Sequence, residues 1–582
     1  MEKKTEKELL QEVENLRTQV EKLKARKKYG LVWDAEREPE KVVLDCKKNL
    51  PILVEDKKKE IKGKNYESAN LLIEGDNYHS LSVLNYTHKG KVDVIYIDPP
   101  YNTGNKHEWK YNDDWVDSED RWRHSKWLNF MEKRLKLSKR LLSNDGIIFV
   151  SISYHECFQL KILMDDIFGE KNFVSNIIVK SNPRGKQQMI IPDCHEYLLV
   201  YAKNIDKVSL NSLDLDDSRI KEYNKIDQEG RLYREMGLRK RGAAARKIDV
   251  PTMHYSIYIN PNNGKVSLEK DKYFSKEALP VLSNGEEGRW RWGKKKLSEE
   301  KQLLFGRLVN GERWDVFQYD YLEREGEQKG IKANSFWDEK EVNYENAKKE
   351  LKDFFKGECP FDYPKTVYLM KKILKIASRK DSLILDFFAG SGTMGSAVLK
   401  ANEDDQGKRK FILCTNNEDN NGDGKGVAEE ICYPRLKMSI QGYKSQGGER
   451  VLGIPAELRY YKTDFVETEN LDRATDQDKI ELTYRAGEMI AIREETFEEI
   501  EKDEWWQIFS NEKEITAIYF KEDKSKLQKL VDKLYKMDKK VNLYIFSWGK
   551  NEYANEFPEY KNIKVKDIPE PLIEVYKEVA NL

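Results

Sequence analysis

Val92-Asp93-Val94-Ile95-Tyr96-Ile97-Asp98-Pro99-Pro100-Tyr101 runs from a β-branched apolar segment into two prolines. A short apolar run bounded this way reads as a buried strand. The prolines end it, because proline gives no N–H to a sheet ladder and drives the residue before it into an extended conformation. A carboxylate, a backbone carbonyl and an aromatic ring are thereby fixed together at the strand's C-terminal edge. Asp98 and the Pro99 carbonyl can accept both hydrogens of an exocyclic NH₂, and Tyr101 offers a face for a planar ring. Pro-Pro-Tyr also occurs in turns and in proline-rich peptide ligands, so the tetrapeptide alone fits either role.

A second strand, Ser382-Leu383-Ile384-Leu385, enters Asp386-Phe387-Phe388-Ala389-Gly390-Ser391-Gly392-Thr393, and a helical pattern follows through Ala397, Val398 and Leu399. Strand, glycine-rich turn and helix in succession form the context of a nucleotide-type cofactor site. Gly390 and Gly392 let the backbone approach a ligand without a Cβ in the way. The chain has no Gly-Lys-Ser or Gly-Lys-Thr, so the turn is not a phosphate loop, and the spacing of G-x-G-x-x-G is absent. An ordinary tight strand-to-helix turn is the bland alternative. Asp98 and Asp386 both sit at carboxyl ends of strands, where open α/β sheets bind ligands, although 288 positions separate them.

The two motifs together resemble the catalytic and cofactor motifs of amino-methylating DNA methyltransferases that use S-adenosyl-L-methionine. Their order resembles the beta class of that family and, more narrowly, the modification (Mod) subunit of type III restriction-modification systems. The likeness extends through Glu74-Gly75-Asp76-Asn77, Tyr101-Asn102-Thr103-Gly104, His124-Ser125-Lys126-Trp127 and His195-Glu196-Tyr197-Leu198-Leu199-Val200-Tyr201-Ala202-Lys203. Phe361-Asp362-Tyr363-Pro364-Lys365 resembles the segment that the family places before its cofactor loop. The resemblance covers roughly residues 30 to 445.

It implies a doubly wound, Rossmann-like α/β methyltransferase sheet and a cofactor held by Asp76, Asp98, Phe361, Lys365, Asp386, Phe387, Ala389, Gly390, Gly392, Thr393 and Glu418. Asp76 matches the acid that contacts the cofactor's adenine. Glu418, with Asn416, Asn417 and Asp419 beside it, is the candidate for the ribose diol. Lys365 and Phe361 would close the methionine end. Asp98, Pro99, Pro100 and Tyr101 would act on the 6-amino group of a flipped adenine. Asp in the first position resembles the adenine enzymes, with cytosine as the alternative. RNA and protein-amide relatives generally carry Asn there.

Lys+Arg and Asp+Glu are both 103, so no overall positive charge announces nucleic acid. The charge is uneven. Arg231 to Lys247 has seven basic residues against one acidic, and Arg289 to Lys296 has five basic residues and two Trp. Arg239, Lys240, Arg241, Arg246, Arg289 and Arg291 are candidate contacts to double-stranded DNA. In a chain that is 35% charged, a solvated face is the alternative for any one cluster. Phe465 to Glu504 is acidic, with fourteen acidic residues against five basic. Six scattered cysteines without a C-x-x-C pair fit a reducing cytoplasm and no structural zinc. No metal and no membrane segment is expected.

Hydrophobic periodicity divides the chain into a heptad helix at 1–28 (Leu9, Val13, Leu16, Val20, Leu23), a basic connector at 29–65, core halves at 66–205 and 356–455, an inserted target-recognition domain at 206–355, and a small C-terminal α/β domain at 456–582. The last contains a predicted βαβ unit, with strands at Ile515–Phe520 and Val541–Phe546 around a helix at Lys524–Tyr535. Valine at a and leucine at d favour a parallel homodimer, and since two to three heptads are marginal alone, packing onto the chain's own body is the alternative. The absence of an ATP-binding loop, together with the Mod-subunit resemblance, implies a separate restriction (Res) ATPase-nuclease partner. A solitary methyltransferase is the alternative.

Overall fold

The computed structural model describes residues 40–581 apart from 64–68, 106–107, 112–113, 186–189, 312, 325, 419–425, 469–474, 549–552 and 554–555. The heptad segment 1–28 lies outside the described residues. The chain forms two compact units. One comprises Ser212–Ala333, and the other the residues up to Asn211 together with Asn334–Leu582.

The larger unit is built on a ten-stranded sheet. Its strands are β1 (Leu50–Glu55), β2 (Asn70–Glu74), β3 (Val92–Ile97), β4 (Leu142–Ile152), β5 (Phe173–Val179), β6 (Glu196–Ala202), β7 (Phe336–Trp337), β8 (Leu383–Asp386), β9 (Lys410–Thr415) and β10 (Leu458–Val466). They lie in the order β1-β10-β2-β9-β8-β3-β4-β6-β5-β7. From β10 to β4 neighbouring strands are parallel, whereas β6 pairs antiparallel with both β4 and β5. The central strands are apolar on both faces because helices cover both. Tyr96, Phe149, Leu385 and Leu413 are buried.

Asp93 explains the one charged position inside the β3 run. Its carboxylate accepts the Leu383 N–H at 2.9 Å and the Arg379 guanidinium at 2.6 Å. That clamp seats β8 beside β3, with Ile384 opposite Val94 and Leu385 opposite Ile95. The two motif-bearing strands are therefore neighbours.

Three expected boundaries are corrected. The 29–65 connector contributes a helix, Lys41–Lys48, and the edge strand β1, which pairs antiparallel with β10. Pro51 fits an edge, where a missing N–H breaks no second ladder. The 456–582 segment is not separate, because β10 sits inside the main sheet between β1 and β2. Met489, Tyr544, Ile568 and Tyr576 also share one hydrophobic core with the sheet's helices. The insert is narrower than 206–355, since Phe336–Trp337 pairs with β5 and Trp337 is buried in the larger unit.

Beyond β10 lies a five-stranded sheet whose βαβ unit is present as Glu514–Tyr519, Lys524–Tyr535 and Lys540–Phe546, its two strands parallel neighbours. Ser212–Ala333 has a four-stranded and a three-stranded sheet around a core that includes Leu238, Ile257, Trp290, Trp292 and Val316.

Candidate active site

Because β3 and β8 are adjacent and parallel, their carboxyl ends open at the same sheet edge. On β8, Asp386 is buried and accepts the Phe388 N–H at 3.0 Å. Burial raises its carboxyl well above the ordinary range, and the charge of Asp98 adds to the rise. The turn then needs its glycines. Gly390 has φ +48°, and a Cβ there would meet the Phe361 ring at 2.9 Å. Gly392 has φ +76°, and a Cβ there would stand 2.9 Å from the Cys432 sulfur. L-residues rarely hold such angles, so both positions resist side chains twice over.

From below, buried Arg435 donates to Thr393 Oγ1 at 2.7 Å and Ser391 Oγ at 3.1 Å, fixing the turn to the helix Tyr433–Gln441. Phe387 is wholly buried in the core, so its contribution at this edge comes from its backbone. Its carbonyl accepts the Asn77 amide at 3.0 Å.

After β3 the chain turns at Pro99-Pro100, and Trp127 Nε1 donates to the Pro100 carbonyl at 2.8 Å. Trp127 is fully buried, the core position expected from its helical spacing with Met131 and Leu135. Asn102 takes the left-handed region at φ +56°, which Asn tolerates, and is buried among Glu156 and Trp109. His124 also bonds Glu156. Glu108 accepts the Tyr101 N–H at 3.0 Å and the Thr103 N–H at 2.7 Å, pinning the loop after β3.

Four polar groups meet at the edge. The Tyr101 hydroxyl lies 2.9 Å from Asp98 Oδ1 and 2.8 Å from Glu196 Oε2. Lys365 Nζ donates to the Tyr101 hydroxyl at 2.6 Å and to Glu196 at 2.7 Å, and stands 3.3 Å from Asp98 Oδ1. Burial pushes Asp98 up to about 6; Lys365 holds it down and Glu196 pushes it further up. Burial works against the Lys365 ammonium, but the charges of Asp98 and Glu196 outweigh it and hold its pKa above the ordinary lysine value. Burial likewise raises the Tyr101 hydroxyl, with Asp98 adding to the effect, so it keeps its proton.

Asp76 caps the helix Asn77–Thr87 by accepting the Tyr78 N–H at 2.6 Å. Beneath it, Arg134 is buried on the helix Arg123–Leu141, donates to Glu40 at 2.9 Å and to Asn77, and lies 3.4 Å from Asp76. Arg134 therefore links Asp76 to the Phe387 carbonyl through Asn77. Glu418 lies just beyond β9 and Asp419 outside the described residues.

Sequence reasoning missed Arg134, Arg435 and the role of Glu196. Arg134 carried a legible signal, a cation one turn after Met131 on an otherwise apolar face. Among the described residues no group of His, Cys, Asp and Glu forms a metal site, and no helix is long and apolar enough to cross a membrane.

In the unit Ser212–Ala333 the two basic clusters are brought together. Arg239 bridges to Trp290 and Arg246 to Gly288. Lys240 N–H donates to the Arg289 carbonyl at 2.9 Å. Arg241 and Arg246 are exposed. Arg239 bonds the Val281 carbonyl, Arg289 the Ala244 carbonyl, and Arg291 donates to Gln318 at 3.3 Å, so these three brace the unit. Trp290 and Trp292 are core.

Residues 92–461 match the family model described as DNA methylase. The Type III restriction-modification enzyme EcoPI Mod subunit of Escherichia phage P1 is 36% identical over 64% of this chain and 61% of its own length. The Type II methyltransferase M.KpnI of Klebsiella pneumoniae is 39% identical over 59% of this chain and 79% of its own. The StyLTI Mod subunit of Salmonella typhimurium is 33% identical over 63% of this chain and 55% of its own. The chain thus spans between half and two thirds of the length of the two Mod subunits.

Proposed function

We propose, for a chain that belongs to the DNA methylase family, that it transfers a methyl group from S-adenosyl-L-methionine to the 6-amino group of adenine in duplex DNA. The observation that carries this reading is the parallel pairing of β3 with β8, which puts Asp98 and the Gly390/Gly392 turn at one sheet edge. The turn's positive-φ glycines leave its backbone without side chains, with Phe361 and Cys432 packed where a Cβ would stand, which fits a cofactor laid against backbone. Asp76, Phe361, Glu418 and the Asp386–Thr393 turn would hold it. When bound, it supplies an electrophilic methyl group.

The chain's own residues do the rest. An exocyclic amine is a poor nucleophile because its lone pair is delocalised into the ring. Asp98 and the Pro99 carbonyl, accepting its two N–H groups, turn that lone pair toward the donor, and in-line placement supplies much of the remaining barrier reduction. Tyr101 gives the flipped base a stacking face, returning about 1–3 kcal/mol of the unstacking cost. In the insert Ser212–Ala333, Arg241 and Arg246 bind phosphates, and sequence choice resides in that unit.

Two relatives named as Mod subunits of type III restriction-modification enzymes support a place in such a system, for which the reading adds a Res partner and a homodimer whose candidate seam is the heptad pattern of residues 1–28. A labelled-methyl assay on duplex DNA, RNA and protein, followed by nucleoside identification, tests the reading. N6-methyladenine in DNA is the expected product, and N4-methylcytosine would transfer the same mechanism to the other amino base. Co-purification of an ATPase-bearing partner is expected. Light scattering should give twice the 68.6 kDa chain mass, and a monomer would remove the dimer.

A further inference from the structure

A phenol has one hydrogen to donate, yet the Tyr101 hydroxyl stands between two carboxylates, at 2.9 Å from Asp98 and 2.8 Å from Glu196. Lys365 breaks the symmetry. Its ammonium contacts Glu196 at 2.7 Å and Asp98 only at 3.3 Å, so the shorter of its two carboxylate contacts is the one to Glu196. Glu196 opens β6, on the far side of β4 from β3, and its side chain is 10% exposed. Pairing of β6 with β4 and β5 on its two sides fixes its position.

We propose that Glu196 is a positioning residue that draws the Tyr101 hydrogen and the Lys365 ammonium onto itself, leaving the Asp98 carboxylate uncovered for the amine. The inference rests on the methyl-transfer reading and deepens it. In that reaction the N–C bond forms as the C–S bond breaks, the sulfonium leaves as a neutral thioether, and the nitrogen becomes cationic. Its surplus proton passes to an Asp98 oxygen. Both duties, accepting the N–H and taking the proton, need a carboxylate not already occupied by stronger donors. Lys365 still limits the repulsion between the two acids, which buried like charges would otherwise relieve by protonation.

Other groups around Asp98 do not substitute for this division of labour. Tyr96, from β3, bonds Ser151 at 3.0 Å, and Asp386, from β8, spends an oxygen on the Phe388 N–H at 3.0 Å. Without the Glu196 charge, the hydroxyl and the ammonium are left with Asp98 as their anionic partner. Asp98 would then be a weaker base and a blocked acceptor.

The test is Glu196→Gln, which keeps the side chain's shape. Three readouts are expected to move together: kcat falls at least about tenfold, donor affinity by calorimetry stays within about twofold, and the Asp98 carboxyl, followed by isotope-edited infrared titration of the donor-free enzyme, titrates about one unit lower. Lys365→Met should move the same titration upward. Tyr101→Phe added to Glu196→Gln should recover part of the lost rate. An unchanged Asp98 titration in Glu196→Gln, or a downward shift in Lys365→Met, overturns the proposal. The infrared readout does not depend on turnover, so failure of the methyl-transfer reading itself appears separately, as absence of product in the unmutated enzyme.

Discussion

Arg134, in the sheet unit, has a side chain 1% exposed and bonds Glu40, Asn77 and Phe130, whereas Arg246, in the insert, has a side chain 62% exposed and its guanidinium stands 3.9 Å from Asp249. A buried cation must recover a large desolvation penalty, so its partners are fixed and its position is structural. An exposed one is screened by water and contributes at most about 1 kcal/mol to the fold through such a pair. It remains available to an anionic ligand. The same contrast separates the Asp98/Glu196/Lys365 cluster from the surface arginines of Ser212–Ala333.

Substitutions should divide along that line. The largest effect is expected for Asp98→Ala, which removes the acceptor itself. Transfer should fall by about 10³-fold or more, with cofactor affinity within a few fold, and near-normal turnover would break the assignment.

Next comes Arg134→Met. It leaves Glu40 buried without its guanidinium and should destabilise the fold by about 3–5 kcal/mol, measured by denaturant unfolding. A loss under about 1 kcal/mol would place Arg134 with the surface charges.

Gly390→Ala puts a methyl against Phe361 in a left-handed conformation. A cost of about 1–2 kcal/mol, read as a roughly five- to thirtyfold loss of cofactor affinity, is expected. Phe361→Ala in the same background should relieve the steric part and leave the conformational part.

A gentler probe is pH. Asp98 must be ionised to accept the amine, and burial sets its pKa at about 6. Activity should therefore fall as pH drops through about 6. Because the folded pKa lies above the ordinary carboxyl value, this group's contribution to stability runs the other way, fully present at low pH and lost as pH rises through about 6. Initial rates and melting curves across the same buffers check both signs.

The smallest effect belongs to Arg241→Ala. Stability should change by no more than about 0.5 kcal/mol. DNA binding should weaken uniformly across sequences, with the salt slope reduced by about one. Relaxed choice at one position would instead make Arg241 a base reader.

The strongest sequence signals were local. Val92–Tyr101 and Ser382–Thr393 announce their strands and turns through proline chemistry, β-branching and glycine spacing, all within about a dozen residues. The βαβ unit near Lys524–Tyr535 was legible for the same reason. β1 is poorly legible although Leu50-Pro51-Ile52-Leu53-Val54 is apolar, because a run this short is set among charged residues through 29–65. The place of β10 in the main sheet is not legible, because nothing within Leu458–Val466 says which sheet it joins.

By itself, then, the sequence determined the two chemical ends of the site, an acceptor edge at Asp98 and a bare backbone turn at Gly390 and Gly392. Covalent neighbours and backbone sterics enforce those wherever the chain goes. Tertiary structure decided that the ends meet, through Asp93 holding Leu383 and Arg379. It also decided that Glu196 and Lys365, 169 positions apart, share one hydroxyl, and that Arg134 stands under Asp76. Glu196 with Lys365, and Arg134 with Glu40, pair largely buried charge, and the burial that makes those pairings obligatory exists only once the sheet has formed.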